Sequence, residues 1–415
     1  MGKTLLFIGA GLETVHGIRH AQRRGLKVVA TDLNPDAPGL EAADAQLIAS
    51  TYDIDGTVAA VKQYVKAKGP VHGVISIGVD VPRTVAAVAE ALGLPGISTA
   101  SAALSADKLA MKERFARDGV PIPWFAPVET AAELARLAQK KPGTLVVKPV
   151  DSRGSRGVQR LTPKMDAVAV FEHAKEQSPT GRVMVEAYLD GPQISTESLV
   201  LKGTAHTPGF SDRNYPYLEQ YAPFFIENGG QLPSHLAPRA RDAVRALVTQ
   251  AAASLGVKNG PIKGDIVLHR GKPHVIEMAT RLSGGFFCTL EIPLNTGVDF
   301  VGAVIGWALG ETVEPSALAP RHQKPVVQRY AFLPPGRILA IPGLAAARAL
   351  PGVEEIVIYA KPGDIIRVPT DTTARAAMAI ATGASVKEAE ARALAALDAL
   401  GIAQDRDDAP MRARG

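Results

Sequence analysis

Residues 263–281 read KGDIVLHRGKPHVIEMATR, two alternating runs arranged around Arg270, Gly271 and Lys272. With those three residues as the loop of an antiparallel hairpin, His269 faces Pro273 and Asp265 stands directly opposite Glu277. The two carboxylates then share one face. Ile266, Leu268, Ile276 and Met278 form an apolar set on the other, suited to packing on a helix. Along the second strand Glu277, Ala279 and Arg281 point the same way. A two-residue turn would instead send the two acids to opposite faces. Facing carboxylates repel one another and require a cation between them. A hard divalent ion such as magnesium, which bridges one or two carboxylates to phosphate, suits the pair, and Arg281 at the rim offers a planar fork to a phosphate or carboxylate. The competing reading is a solvated hairpin whose acids are neutralised by Arg281 or Lys263.

Around this stretch the chain has ordinary globular composition. Of 415 residues, 46% are hydrophobic and 21% charged, material for two or three domains with a core. The net charge of +5 is dispersed and lacks aromatic interleaving, so no nucleic-acid partner is expected. A single cysteine, Cys288, forms no intramolecular disulfide and suits a reducing compartment; a small buried role is expected for it. No secretory signal is recognisable, and the longest apolar run, near 298–310, is too short to span a bilayer. A cytoplasmic protein without membrane attachment is the expectation.

Residues 1–100 alternate short β-branched runs with helical stretches, which implies βαβ units on a parallel sheet and a Rossmann-like domain. Within it FIGAG at 7–11, with Asp32 closing the second strand, imitates a dinucleotide fingerprint, but the third glycine position holds Thr14. Structural punctuation therefore outweighs cofactor binding there. From about 101 a helix opens at SADKLAMKERFARDG, the strand TLVVKPV carries Lys148, and DSRGSRGV (151–158) forms a Gly-Ser-Arg loop. A lysine at the mouth of a strand beside such a loop suits a triphosphate; a solvated lysine beside a plain turn is the alternative. No GxxxxGK[ST] occurs, and no kinase HRD or DFG set. Beyond 320, four runs read as antiparallel strands and an Ala-rich helix follows from about Val386.

In chain order stand a lysine opening a helix, a strand lysine, a glycine loop, the strand end VEAYL and paired acids with a trailing arginine. This resembles the ATP-grasp superfamily, in particular carboxylate-amine ligases such as the L-amino-acid (dipeptide) ligases. The resemblance covers most of the chain. It implies mixed α/β and α+β architecture: a Rossmann-like pre-ATP-grasp domain (1–100), an ATP-grasp body (101–320) with a mobile lid at about 110–185, a C-terminal α+β lobe (321–403) and a disordered tail (404–415).

Carried over residue by residue, Lys108 and Lys148 resemble the two lysines that hold ATP phosphates. Ser152, Gly154, Ser155 and Gly157 lie in the mobile loop. Glu186 and Leu189 match the adenine-reading hinge, and Glu197 corresponds to a ribose contact. Asp265 and Glu277 match the magnesium ligands, with manganese as a substitute, and Arg281 the arginine that steadies the acyl phosphate. Asp212, Arg213, Ser283 and Gly284 are substrate candidates, the glycines of RLSGG leaving room for a substrate backbone. The chain departs from the ENPR pattern of many members at Ala279, which leaves a third metal ligand missing or replaced by water. The resemblance implies an ATP- and magnesium-dependent ligase joining a small-molecule carboxylate to an amine, in a homodimer. Its rivals are a purine-biosynthesis or carboxylase-type enzyme acting through formyl or carboxy phosphate, a dehydrogenase, and a non-catalytic nucleotide-binding protein.

Overall fold

The computed structural model describes residues 2–162 and 164–405. The chain forms two compact units, each assembled from separate segments. The first comprises Met1–Ile122, Asp190–Phe210 and Leu236–His322; the second Pro123–Leu189, Ser211–His235 and the chain from Gln323 onward. The contiguous division at 100 and 320 is retained as a proposal about sequence modules.

The first unit begins with a parallel sheet in the order Ala45–Ile48, Lys27–Asp32, Thr4–Ile8, Gly73–Ile75, as the alternating βαβ pattern predicts. Thr4–Ile8 is buried throughout, which explains a continuous apolar run rather than an alternating one. The glycine turn is structural. Asp32 accepts the Ala10 amide and the Asn34 amide, and Thr14, in the third glycine position, donates its hydroxyl to the Ile77 carbonyl. Asp32, the side chain a dinucleotide reading would enlist, is thus engaged in holding the turn, and so is Thr14, which replaces the third glycine.

The remainder of this unit centres on the hairpin Gly260–His269 and Lys272–Ala279, with Gln193–Leu201 paired antiparallel to its first strand. The turn differs from expectation. His269 pairs with Lys272, so the loop is the two residues Arg270 and Gly271, both at positive φ (51° and 76°) as a type I′ turn requires. By the register argument this should separate the acids. A β-bulge between Asp265 and Ile266 prevents it: the pairing runs Ile266 to Val275, then Asp265 to Glu277, so Ile276 is the extra residue. The same shift alters the apolar face. Val275, rather than Ile276, joins Ile266, Leu268 and Met278 in the core.

That core is closed by two helices. Pro238–Ser254 presents Val244, Leu247, Val248 and Ala251 at helical spacing, and Lys108–Arg117 contributes Met111 and Phe115. Where the bulge interrupts the ladder, the helix supplies partners: Lys112 Nζ donates to the Val275 carbonyl (3.0 Å), and the Met278 amide lies 3.4 Å from Met111 Sδ. The Val275 amide donates to the Pro121 carbonyl (2.9 Å).

The second unit holds the sheet Phe125–Val128, Val183–Ala187, Leu145–Pro149, Gln159–Leu161, with helices Ala131–Lys140 and Ala167–Glu176 packed on its apolar face. It also holds the antiparallel run Gly230–Leu232, Val326–Ala331, Ala377–Thr382, Val353–Ile358 under helix Val386–Ala399. Ala403–Asp405 pairs with Gly336–Ala340. The expected disordered tail is therefore corrected at residues 404 and 405, which are strand; the rest of it, 406–415, lies outside the described residues.

A Cβ added at Gly271 meets nothing within 4 Å, so a substitution there is opposed only by the backbone. Gly271→Ala is expected to lower stability by about 1 kcal/mol, the cost of a left-handed L-residue, without altering the core; urea melts of the two proteins check this.

Candidate active site

Three strands of the first unit lay out a polar grid on one sheet face. Ser195 pairs with Asp265, which pairs with Glu277; two residues along, Glu197 pairs with Lys263, which pairs with Ala279. Because i and i+2 share a face, these side chains and Arg281 stand together. The Asp265 carboxylate accepts from Lys263 Nζ (2.6 Å) and from Ser195 Oγ (3.1 Å). Glu277 lies 3.2 Å from Lys108 Nζ, the first residue of the helix capped by Asp107. Each acid thus has a lysine beside it, and each keeps part of its surface open: 17% for the Asp265 side chain and 32% for Glu277.

Arg281 is held from two sides. Its Nε donates to Asp80 Oδ1 (3.1 Å) and its Nη1 to the Leu282 carbonyl (3.1 Å). An isolated parallel bridge between Ile77 and Leu282 fastens this segment to the end of the strand Gly73–Ile75. Burial opposes the guanidinium charge, but Asp80, Glu197 and Glu277 outweigh it and raise its pKa above the ordinary arginine value.

Glu197 is fully buried. Its Oε1 accepts the Ser283 amide (3.2 Å), and the Ser283 side chain and backbone both favour its charged form. Burial raises its pKa to about 7, against the lowering pull of Ser283, Arg281 and Lys263. In this conformation it presents no exposed oxygen to a ribose. Its place beside Arg281 and Ser283 makes it a support of the grid. Cys288 donates to the Ser283 carbonyl (3.2 Å), and burial pushes its thiol pKa well up, in keeping with the expected inert role.

The expected room at Gly284 is filled. A Cβ there would lie 2.4 Å from Glu13 Oε2 and 3.2 Å from Gly78 Cα, so the glycine admits the Glu13 carboxylate and the Gly78 backbone. Sequence reasoning missed Glu13, Asp80 and Ser195. Glu13 follows the glycine turn directly, a signal available in GAGLE; Asp80 and Ser195 had none, since each is set by pairing across distant segments.

The remaining residues lie in the second unit. Lys148 and Glu186 come from paired strands and form a buried ion pair. The amides of Ala187 and Tyr188, next to Leu189, bond the carbonyls of Trp124 and Thr144 (2.8 and 3.0 Å). In the loop, Gly154, Ser155 and Gly157 all have positive φ (63°, 60° and 74°), and Ser152 is buried. The Gly154 carbonyl accepts from Thr372 N (3.3 Å) and Thr372 Oγ1 (3.0 Å). Asp212 accepts from Ser234 Oγ, the His235 amide (2.8 Å), His235 Nδ1 and Gln231 Nε2 (3.4 Å), so it is committed to holding its own loop. Arg213 pairs with Glu227 at 3.8 Å.

Among the described residues no cluster of three or more His, Cys, Asp or Glu could hold a metal. The donor set is the facing pair alone. Two partly open carboxylates fit magnesium, which takes one or two protein carboxylates and completes its shell with water and phosphate. No helix of the described residues is long and apolar enough to cross a membrane.

Comparison with known proteins agrees with this layout. Residues 105–285 match the ATP-grasp domain model, which identifies that segment as an ATP-grasp domain. Residues 329–403 match the L-amino acid ligase C-terminal domain 2. An uncharacterised protein of Sinorhizobium fredii is 27% identical over 300 residues, covering 71% of this chain and 60% of that protein. A D-alanine--D-alanine ligase of Ralstonia nicotianae is 28% identical over 208 residues, 48% of this chain and 61% of that one. The chain thus spans about 60% of the length of these curated relatives. The fold is that of the L-amino acid ligase from Bacillus licheniformis, with a TM-score of 0.80 at 24% identity, covering 98% of this chain and 99% of the other.

The raised pKa of Glu197 has a definite sign. A carboxyl at about 7 when folded and 4.5 when unfolded binds its proton more tightly in the native state. Its contribution is complete below pH 4.5 and is lost as pH rises to 7, a change of roughly 3 kcal/mol at 1.36 kcal/mol per pKa unit. Glu197→Gln removes this dependence, so the variant should gain stability relative to wild type between pH 5 and pH 8. Parallel denaturant melts at the two pH values give the difference, and an unchanged gap would contradict the assignment.

Proposed function

We propose that this chain is an ATP-dependent carbon–nitrogen ligase that phosphorylates a small-molecule carboxylate and joins it to an amine. The observation that carries this reading is the placement of Asp265 opposite Glu277 on the face that also holds Arg281. A free carboxylate is a poor electrophile. Transfer of the γ-phosphoryl of ATP to one of its oxygens releases ADP and gives an acyl phosphate. Attack by the neutral amine on the carbonyl carbon then expels phosphate, and loss of a proton from nitrogen leaves the amide.

The chain's own residues have distinct parts in this proposal. Asp265 and Glu277 would hold magnesium, which when bound offsets negative charge on the transferred group. Lys108, 3.2 Å from Glu277, adds positive charge at the same place. Arg281, oriented by Asp80, stabilises the oxyanion of the tetrahedral species. Glu197 keeps the Ser283 segment and Arg281 in position. In the second unit, Lys148, Glu186 and the loop at 151–158 take nucleotide-binding roles; the loop has positive φ at Gly154, Ser155 and Gly157, a backbone conformation from which anion-binding nests are built.

The test is phosphate release from ATP and magnesium across an array of carboxylic acids, with amines added in pairs. Turnover that requires both an acid and an amine supports the reading; bicarbonate or formate as the sole productive acid would replace it with a carboxylase or formyl-transfer reaction. Glu277→Gln should abolish turnover with the fold intact by circular dichroism. Arg281→Lys should lower kcat by about 100-fold, the scale for loss of an oxyanion donor. Undiminished activity in Glu277→Gln would remove the metal assignment.

A further inference from the structure

Arg375 plays no part in the site described, yet it is built like a ligand contact. It precedes the strand Ala377–Thr382 in the second unit and falls within the segment matching the L-amino acid ligase C-terminal domain 2. Its guanidinium carbon stacks 3.7 Å from the centroid of the Tyr330 ring. Nη2 donates to the Glu227 carboxylate and to the Glu227 carbonyl (3.4 Å), while Nε is buried with no hydrogen-bond partner. The same Glu227 Oε2 is shared with Arg213 Nη2 at 3.8 Å, and the Arg213 guanidinium carbon lies 5.7 Å from the Tyr215 ring centroid.

We propose that Arg375 and Arg213, bridged by Glu227, form a binding site for a small-molecule oxyanion, a carboxylate or a phosphate group. Three features argue for it. Arg213 and Arg375 bring two guanidinium groups to the one Glu227 carboxylate, which gathers positive charge where an anion is attracted. Stacking on Tyr330 fixes the Arg375 plane, so its remaining N–H groups project in a set direction, the geometry with which arginine grips two oxygens at once. A buried donor left without an acceptor is rare in folded proteins and marks a place where an additional acceptor belongs. Glu227 then acts as a spacer: it holds the two cations together and occupies one side of the Arg375 fork. The site does not depend on the ligase reading, because binding an anion needs no turnover.

Isothermal titration of the full chain with inorganic phosphate, with alanine and with alaninamide separates the sources. Saturable binding of phosphate or alanine, weakened at least tenfold in Arg375→Gln, supports the site. Alanine bound without phosphate identifies a carboxylate ligand; phosphate bound without alanine identifies a phosphate ligand. Glu227→Gln, which removes the competing negative charge, should tighten the same anion several-fold, a gain that a merely structural role does not produce. Arg375→Lys keeps the charge and drops the planar fork, and should fall between wild type and Arg375→Gln; it is the variant to read where Arg375→Gln fails to fold. The proposal is overturned by wild type binding neither anion, by affinities unchanged in both Arg375 variants, or by alaninamide binding as tightly as alanine.

Discussion

The polar face of the first unit depends on a single irregularity of backbone pairing. A two-residue turn at Arg270 and Gly271 sets a register in which Asp265 and Glu277 would face opposite ways; the extra residue Ile276 reverses that and brings them across from one another. A bulge leaves ladder groups without strand partners, and buried backbone groups tolerate that poorly. Here Lys112 Nζ takes the Val275 carbonyl and Pro121 the Val275 amide, so the helix and loop beside the strand satisfy what the bulge releases. Lys112 is wholly buried, an unusual place for an ammonium, and its position at the bulge accounts for it. The residue beside the paired acids and those that hold the irregularity lie within about one turn of each other on one helix: Lys108 reaches Glu277, while Met111 and Lys112 meet the strand behind it.

Electrostatics reinforces that geometry. Arg281 is buried enough for its charge to be opposed, and it stays charged because Asp80, Glu197 and Glu277 surround it. Glu197 is in the opposite position: its burial favours the neutral acid more than nearby cations favour the carboxylate, and its pKa rises to about 7. One group is thereby fixed in charge and its neighbour is left near its titration point. Arg281 therefore keeps its charge in a buried setting whose acids differ in how strongly they hold theirs.

Much of this was legible in the sequence, and the parts that were not share a cause. Alternation along 263–281 announced a hairpin with a carboxylate face, and the chain order of lysines, glycine loop and paired acids announced the superfamily. The facing of Asp265 and Glu277 was reached from a three-residue turn, whereas the structure reaches it through a two-residue turn and a bulge. Side-chain alternation reports parity, and two single-residue shifts leave parity unchanged; only the exchange of Val275 for Ile276 in the core betrays the difference. Asp80 and Ser195 were invisible because each reaches the site from a distant segment, Ser195 through strand pairing and Asp80 beside the Ile77–Leu282 bridge, whereas Glu13 had a signal in its place directly after the glycine turn. Gly284 was read as room for a substrate, and Glu13 fills that room.

The glycine loop of the second unit shows the same limit from another side. Its composition suggested flexibility, but composition does not reveal what a loop touches. Gly154, Ser155 and Gly157 occupy the left-handed region, and the Gly154 carbonyl takes two hydrogen bonds from Thr372, more than two hundred residues away. A loop that closes over a ligand must either give up those bonds or carry the Asp371–Arg375 segment with it. Asp371 caps that short turn through Thr373, and Arg375 ends it in its ion pair with Glu227. The backbone of the loop and the arginine of the C-terminal segment are therefore joined by hydrogen bonds through a turn of only a few residues.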